Sequence, residues 1–473
     1  MSEPQLRADA LKLPSVLMQG VTHMAPVCSL VLCMQMVAKH ARLTAPLAFA
    51  IAFGIVLTLG ISLTQVARHI TSAGGYYTYV SRTIHPRAGF LTAWLYFLYD
   101  PICAAINLAY LGDLIEKTVQ DKFHVWIPWW ALLTASAILI MLLTYRGIRI
   151  STESLTVLGV VEIAILLAVS VAALIWPGPG GVNVVSYVPS RAPGAGGLAL
   201  GVVFAMMAFS GFESVAPLAE EAHNPRRTLP RAILGSIVVI GALYLFTSWT
   251  VVIGWGTDKV AERAASEQNE VLLLADRLLP AGELIMALAL LNSVLAVSIA
   301  STNAATRVFF AMGRTGALPR TLAKVHPRFQ TPVNAVVFQT AITLAIGLGL
   351  GFWLGPATEF EFMGVVTILG LLIVYAGGNV GVVLFFLREK RSEFNWLLHA
   401  VCPAVSTLAI VAMAYYSIFP LPRKPVCYAP LVVVAWLALG MVLLAFSVFS
   451  GREIVLRAAA TEDAEVPAES RRT

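Results

Sequence analysis

Charge is what this chain has least of. Asp, Glu, Lys and Arg together make up 12% of its 473 residues, where soluble domains carry about a quarter. No long polar stretch interrupts the apolar runs, so the usual division of such a length into several soluble domains does not apply. Cysteine is also sparse. Cys28, Cys33, Cys103, Cys402 and Cys427 form no CxxC pair, and most of them stand in apolar runs, which argues against a disulfide framework. GxGxxG, Walker A, HExxH and the nucleophile elbow are all missing, so the sequence offers no catalytic set, no metal or cofactor site and no ATP-driven pump acting alone. The net charge of +6 is scattered through loops rather than gathered on one face, which is not the footprint of a nucleic-acid binder. The first sixteen residues lack a small-residue cleavage site, so no removable signal peptide is expected and the first span serves as an uncleaved signal.

What the chain has in excess is apolar length: 58% of its residues are hydrophobic and the mean hydropathy is +0.80. A helical membrane span needs about 20 apolar residues. Twelve such runs are predicted, at 17–38, 43–64, 88–114, 127–145, 154–176, 196–217, 231–254, 281–306, 333–354, 361–387, 397–419 and 429–449. The expected class is an all-α polytopic membrane protein. Polar tails remain at 1–16 and 450–473, and the second reads as disordered. If the N-terminus is cytoplasmic, about two thirds of the 32 basic residues fall in inside loops. That bias predicts both termini inside and an even number of spans.

Two spans carry interruptions near mid-depth. The first contains Thr22-His23-Met24-Ala25-Pro26, where proline removes a backbone donor. The sixth contains Phe209-Ser210-Gly211-Phe212-Glu213, two helix-weakening residues beside a carboxylate. Each opens a run of five spans, 17–176 and 196–387, with 397–449 left as an appended pair. Interrupted spans in matching positions of two halves point to an inverted-repeat transporter with its solute site at the breaks.

Each candidate residue has two readings. The 22–26 break either exposes a half-helix end suited to an anion such as a carboxylate, or is a simple proline kink. His23 either meets solute and exchanges a proton, or is held by a neighbouring carbonyl. The carbonyls of Phe209, Ser210 and Gly211 can receive an ammonium, covered by Phe209 or Phe212 through cation–π contact; otherwise the rings pack beside a small residue. Glu213 either carries a coupling proton or is a structural acid bonded to unwound first-span backbone. Asp100 either pairs with a cationic head group or closes a structural network. Glu162 either relays protons or pairs with Arg146 or Arg149. Ionisable residues at membrane depth are functional hypotheses by default, and three acids against no lysine tilt the expectation toward a solute bearing an amine. Ser298, Ser301 and Thr302 offer oxygens for Na⁺ or simply bond between helices. Glu220 and Glu221 can pair with Arg226, Arg227, Arg314 or Arg320 as an inside gate, or those arginines meet lipid head groups. Tyr76, Tyr77, Trp126, Trp129 and Trp130 read as interfacial aromatics.

Three blocks and one break together resemble a bacterial permease of the amino acid–polyamine–organocation superfamily. They are SAGGYYTYVSRTIHPRAGFLTAW (Ser72–Trp94), MAFSGFESVAPLAEEAHNPRRTLPRA (Met207–Ala232), NAATRVFFAMGRTGALPRTLAKVHPRFQTP (Asn303–Pro332) and the Thr22–Pro26 break. The likeness covers about residues 15–390. It implies a LeuT-type fold, a 5+5 inverted repeat of twelve transmembrane helices with helices 1 and 6 broken and helices 11–12 added. It also implies an inner-membrane importer of an amino acid or related amine. Proton symport is expected, Na⁺ is disfavoured, and spans 1, 2, 6 and 7 would move against the rest. A polyamine importer, an amino acid/amine exchanger and a non-transporting sensor are the alternatives. The partners are then the small-molecule solute and the bilayer, with spans 11 and 12 as a packing surface if the monomer pairs into a homodimer. The chain departs from many relatives at three places. The first break lacks their glycine-rich run, Met207 stands where several have an aromatic gate, and Leu158-Gly159-Val160 stands where some have a lysine.

Overall fold

Backbone polar groups in a bilayer must be satisfied within the chain, which leaves helices as the economical solution for this composition. The computed structural model describes residues 6–259, 269–419 and 422–449, and among them no strand forms. The helices are α1 (Leu13–His23), α2 (Pro26–Ala41), α3 (Ala45–Ala67), α4 (Tyr76–Thr83), α5 (Pro86–Tyr96), α6 (Asp100–Phe123), α7 (Trp129–Tyr145), α8 (Ile148–Ile175), α9 (Ala195–Met207), α10 (Pro225–Trp255), α11 (Glu270–Leu278), α12 (Gly282–Arg314), α13 (Val333–Leu354), α14 (Pro356–Arg388), α15 (Cys402–Ile418) and α16 (Ala429–Phe449). A 3₁₀ segment, Phe212–Leu218, joins α9 to α10. Pro26, Pro86, Pro225 and Pro356 each stand at the first helical position, where the missing N–H costs nothing.

Ten helical stretches among the described residues are long and apolar enough to cross a membrane, with Trp129–Tyr145 a shorter apolar helix beside them. The first stretch, Leu13–Ala67, runs 55 residues and takes in α1, α2 and α3. The last predicted tail, 450–473, lies outside the described residues.

The short helix α1 sits at the centre. It packs against α8, α10, α12 and the 3₁₀ segment, while α2 packs on α9 and α6 on α12, α13 and α14. The outer surface is apolar: Val157, Leu408, Leu431 and Phe446 are exposed, as expected of side chains that face lipid. At the rim, Trp94 and Trp436 stack at 4.4 Å. Each indole N–H donates to the other's carbonyl at 2.7 Å, which docks α16 on α5.

Three expectations change here. The third predicted span falls within one apolar stretch, Pro86–Asp121, but its helix is interrupted: α5 ends at Tyr96 and α6 starts at Asp100, so the acid opens the second part. Tyr76 and Tyr77 are buried, not interfacial: Tyr76 packs on Tyr375 and Tyr77 shares a 2.8 Å hydrogen bond with Thr315. Arg307, one residue past the predicted end of the 281–306 span, lies inside α12 and is fully buried.

Candidate functional site

The two interruptions meet. At the first, α1 stops at His23, Ala25 takes a left-handed conformation with φ 47°, and α2 restarts at Pro26. At the second, α9 stops at Met207 and Gly211 adopts φ +120° before the 3₁₀ segment. A side chain at 211 would be strained at that φ. Its Cβ would also stand 2.8 Å from the His23 carbonyl carbon and oxygen. Glycine is thus required at 211 both by the turn and by the approach of the other break.

A residue that the sequence reading missed joins them. The Tyr244 hydroxyl on α10 lies 3.1 Å from the Met24 carbonyl oxygen and 3.2 Å from that of Ala208. The ring is fully buried and meets Phe209 edge-on at 5.2 Å. The lone tyrosine of this helix was the available signal, since a buried tyrosine hydroxyl seeks a partner.

The three acids divide between the breaks. Glu162 does not reach Arg146 or Arg149; Arg149 pairs instead with Glu153. The Glu162 carboxylate accepts from the Val27 N–H at 3.2 Å and from the Ser293 hydroxyl at 2.7 Å, and Ser293 in turn accepts from the Cys28 N–H at 3.1 Å. A carboxyl oxygen at the N-terminus of α2 satisfies an amide that no helical carbonyl can reach, and its negative partial charge meets the positive end of the helix dipole. Helix α8 thereby supplies the carboxylate that the half-helix end invites.

Glu213 accepts from the Gly211 N–H at 3.1 Å and from the Tyr375 hydroxyl at 2.6 Å. Its partners are its own break and α14, rather than first-span backbone, and Oε1 is buried without a hydrogen bond among the described residues. Asp100 faces His23, with Nε2 3.2 Å from Oδ1, and also accepts from the Tyr96 hydroxyl. His23 lies parallel to Tyr99 at 5.8 Å. Histidine and aspartate are both sealed from solvent.

The remaining candidates are placed as follows. Thr22 turns back to bond the Met18 carbonyl at 2.6 Å, and Ser210 bonds that of Met207 at 2.8 Å. Met24, Ala25 and Pro26 are buried, as are Phe209 and Phe212, whose ring stacks on Tyr375 at 5.8 Å. Met207 is half-buried at the end of α9. Ser298, Ser301 and Thr302 each donate to carbonyls of their own helix. A cavity of about 10 Å³, lined by Tyr76, Tyr96, Glu213 and Val308 among others, reaches the edge of the site. That is room for about one water.

On the side of the N-terminal segment the breaks are closed by ion pairs. Glu221 is bidentate to Arg307, at 2.8 and 3.1 Å, with both side chains buried. Glu220 is bidentate to Arg314, at 2.7 and 3.1 Å, and also accepts from the Ala73 N–H. Of the four arginines expected here, Arg314 is the one so used, and Arg307 was not foreseen. Leu11 pairs across this loop, donating to the Glu221 carbonyl at 3.0 Å and accepting from the His223 N–H at 2.8 Å.

Two unwound backbones are thus packed against each other, bracketed by buried acids and aromatic rings, with room beside them for about one water. The chain is 26% identical over 425 residues to the low-affinity putrescine importer PlaP of Escherichia coli, covering 86% of this chain and 89% of that protein. It is 24% identical over 418 residues to the branched-chain amino acid permease BcaP of Bacillus subtilis, covering 84% of each. It is 29% identical over 392 residues to the uncharacterised transporter Rv1999c of Mycobacterium tuberculosis, covering 78% of this chain and 80% of that one. The amino acid permease family matches residues 15–457, nearly the whole chain. With its multiple apolar helices and its paired breaks, this chain belongs to the amino acid permease family, whose members are membrane transporters rather than enzymes.

Proposed function

We propose that the chain is a secondary active permease importing an amino acid or related amine across the cytoplasmic membrane by proton symport. The observation that carries this is the contact of the two breaks, with Gly211 against His23 and Tyr244 bridging Met24 and Ala208. The solute sits between them, against Thr22–Pro26, Asp100, Met207 and Phe209–Phe212. Counting the 55-residue first stretch as two spans and adding Trp129–Tyr145 brings the ten to twelve. This supports a LeuT-type 5+5 repeat at 17–176 and 196–387 with 397–449 appended. Both termini are cytoplasmic in this reading, and the unit is a monomer or homodimer. The buried state of the site corresponds to an occluded step of alternating access.

Glu213 is the proposed proton carrier, because it stands at the second break with one oxygen buried without a hydrogen bond, a feature that Glu162 and Asp100 share but combine with other contacts, to the start of α2 and to His23. Glu162 is reassigned within the proposal to capping α2, which its two bonds support better than a relay. A second reading is favoured by that same cap. Glu162 occupies the half-helix end that a solute carboxylate would otherwise use, while Asp100, whose partners are His23 and Tyr96 rather than a lysine or arginine, offers its charge to an amine. A solute with amines and no carboxylate fits this arrangement, and PlaP imports such a compound.

Uptake into proteoliposomes tests both. Accumulation of a labelled amino acid driven by an inward proton gradient and abolished by a protonophore supports the first reading. Accumulation of diamines but not amino acids supports the second. Uptake only into vesicles preloaded with solute makes the protein an exchanger. In the symport reading, Glu213→Gln abolishes gradient-driven uptake and spares counterflow exchange; loss of both together with binding makes Glu213 structural.

A further inference from the structure

Away from the breaks, four arginines converge on one groove. Arg7 approaches from the N-terminal segment, Arg146 and Arg149 from the corner joining α7 to α8, and Arg328 from the loop before α13, around a space of about 180 Å³. This is far more than the ~10–15 Å³ that one water needs. Arg149 has an exposed partner in Glu153. Among the described residues, Arg7, Arg146 and Arg328 make no ion pair, and Arg328 lies over the Phe329 ring at 5.6 Å. Like charges gathered from three separate elements raise the local positive potential, which draws an anion to the groove.

The groove wall adds a second attraction. It includes Gly147, Ile148 and Ile150, the start of the 28-residue helix α8. The first amides of a helix have no intrahelical acceptor, and the positive end of its dipole points outward. Guanidinium forks match phosphate oxygens in pairs. Below the groove, Ile150, Val157 and Val161 are 41%, 65% and 42% exposed. Their spacing of seven and four residues puts them on one face of α8. A cationic groove at the head of an exposed apolar strip has the shape of a phospholipid, with headgroup above and acyl chain below.

The geometry points to a binding site for a phosphate-bearing anion in this groove, supplied by the headgroup of an anionic phospholipid. The bound phosphate ties Arg7 to the α7–α8 corner and to Arg328. It thereby fastens the N-terminal segment that pairs with Glu221 and His223 beside the closed breaks. Lipid composition then sets how firmly that segment is held.

The test uses the full-length protein in nanodiscs of phosphatidylcholine alone or mixed with phosphatidylglycerol. Retained lipid is read by native mass spectrometry and stability by thermal melting. A parallel arm titrates inorganic phosphate against chloride in detergent at constant ionic strength. Arg146→Gln with Arg328→Gln is compared with Arg388→Gln, a basic residue elsewhere. The expected result is selective retention of phosphatidylglycerol and a raised Tm, with affinity falling roughly tenfold or more in the double variant and unchanged in Arg388→Gln. A saturable phosphate effect without phosphatidylglycerol selectivity, again lost in the double variant, supports the anion site with a soluble source. Equal phosphatidylglycerol retention by all three proteins, with no phosphate effect, overturns the site. Should the double variant not fold, hydrogen exchange in residues 6–12 of the wild type decides. Slower exchange with phosphatidylglycerol supports the proposal, and identical exchange in both lipids overturns it.

Discussion

Tyr244→Phe removes one oxygen atom and keeps the ring that packs on Phe209 and Phe49. The hydroxyl lies within hydrogen-bond reach of the Met24 and Ala208 carbonyls. Met24 retains the Ser29 hydroxyl at 2.7 Å, so the exposed deficit falls on Ala208. A buried acceptor left without its partner costs about 1–3 kcal/mol. In the proposed alternating-access cycle the tyrosine joins the two breaks in the closed state, so most of that loss falls there. The closed population should drop by roughly 5- to 150-fold relative to open ones. The expected outcome is a lower Tm in detergent together with an altered KM for uptake. Tyr187→Phe is the control: from the segment before α9 its hydroxyl donates at 3.0 Å to the carbonyl of Leu245, next to Tyr244 on α10, and not to a carbonyl of either break. It should cost some stability and leave KM unchanged. If Tyr244→Phe matched the wild type in both Tm and KM, or if Tyr187→Phe changed KM equally, the idea that this hydroxyl clamps the breaks would be wrong.

Other perturbations follow from the same contacts. Gly211→Ala should destabilise the protein by roughly 2–5 kcal/mol, from left-handed backbone strain and a clash with His23, and should stop uptake; normal melting and transport would refute the required close approach. Arg307→Met alone should cost about 3–5 kcal/mol because it strands the buried Glu221. Adding Glu221→Leu should restore most of the Tm, and no recovery would mean the pair acts through more than its charge. Glu270, at the start of α11, is buried with no hydrogen bond to its carboxyl among the described residues, and burial pushes its pKa up to about 8. The folded state therefore resists ionisation, so stability contributed by the neutral acid is present below about pH 4.5 and lost as pH rises toward 8. Glu270→Gln should raise stability at pH 9 by roughly 2–5 kcal/mol and change little at pH 4; an equal effect at both pH values would exclude a titration effect.

The legible part of this chain was legible for a physical reason. A bilayer allows few backbone solutions, so apolar length alone announces helices, and proline or glycine within such a length announces where they break. Thr22–Pro26 and Ser210–Gly211 stood out in that way, and so did Asp100, Glu162 and Glu213, since a charge at that depth is conspicuous against its neighbours. The blocks at 72–94, 207–232 and 303–332 were sufficient to suggest the family.

What each group touches was settled by the tertiary structure, because the partners lie far apart in the chain. Glu162 was near Arg146 and Arg149 in sequence, yet helical geometry carries it to the start of α2, 135 residues away from its Val27 partner. Glu221 finds Arg307 across 86 residues, and the span that seemed to end before that arginine in fact continues to Arg314. Tyr244 shows the limit most plainly. Nothing in an apolar run says which way a single hydroxyl points, and only the packing of α10 against both breaks turns it into a clamp. Composition and periodicity determine that segments are buried and where they bend, because those depend on local transfer and backbone energies. Pairing between distant polar groups depends on how the helices cross, which no local property of the sequence encodes.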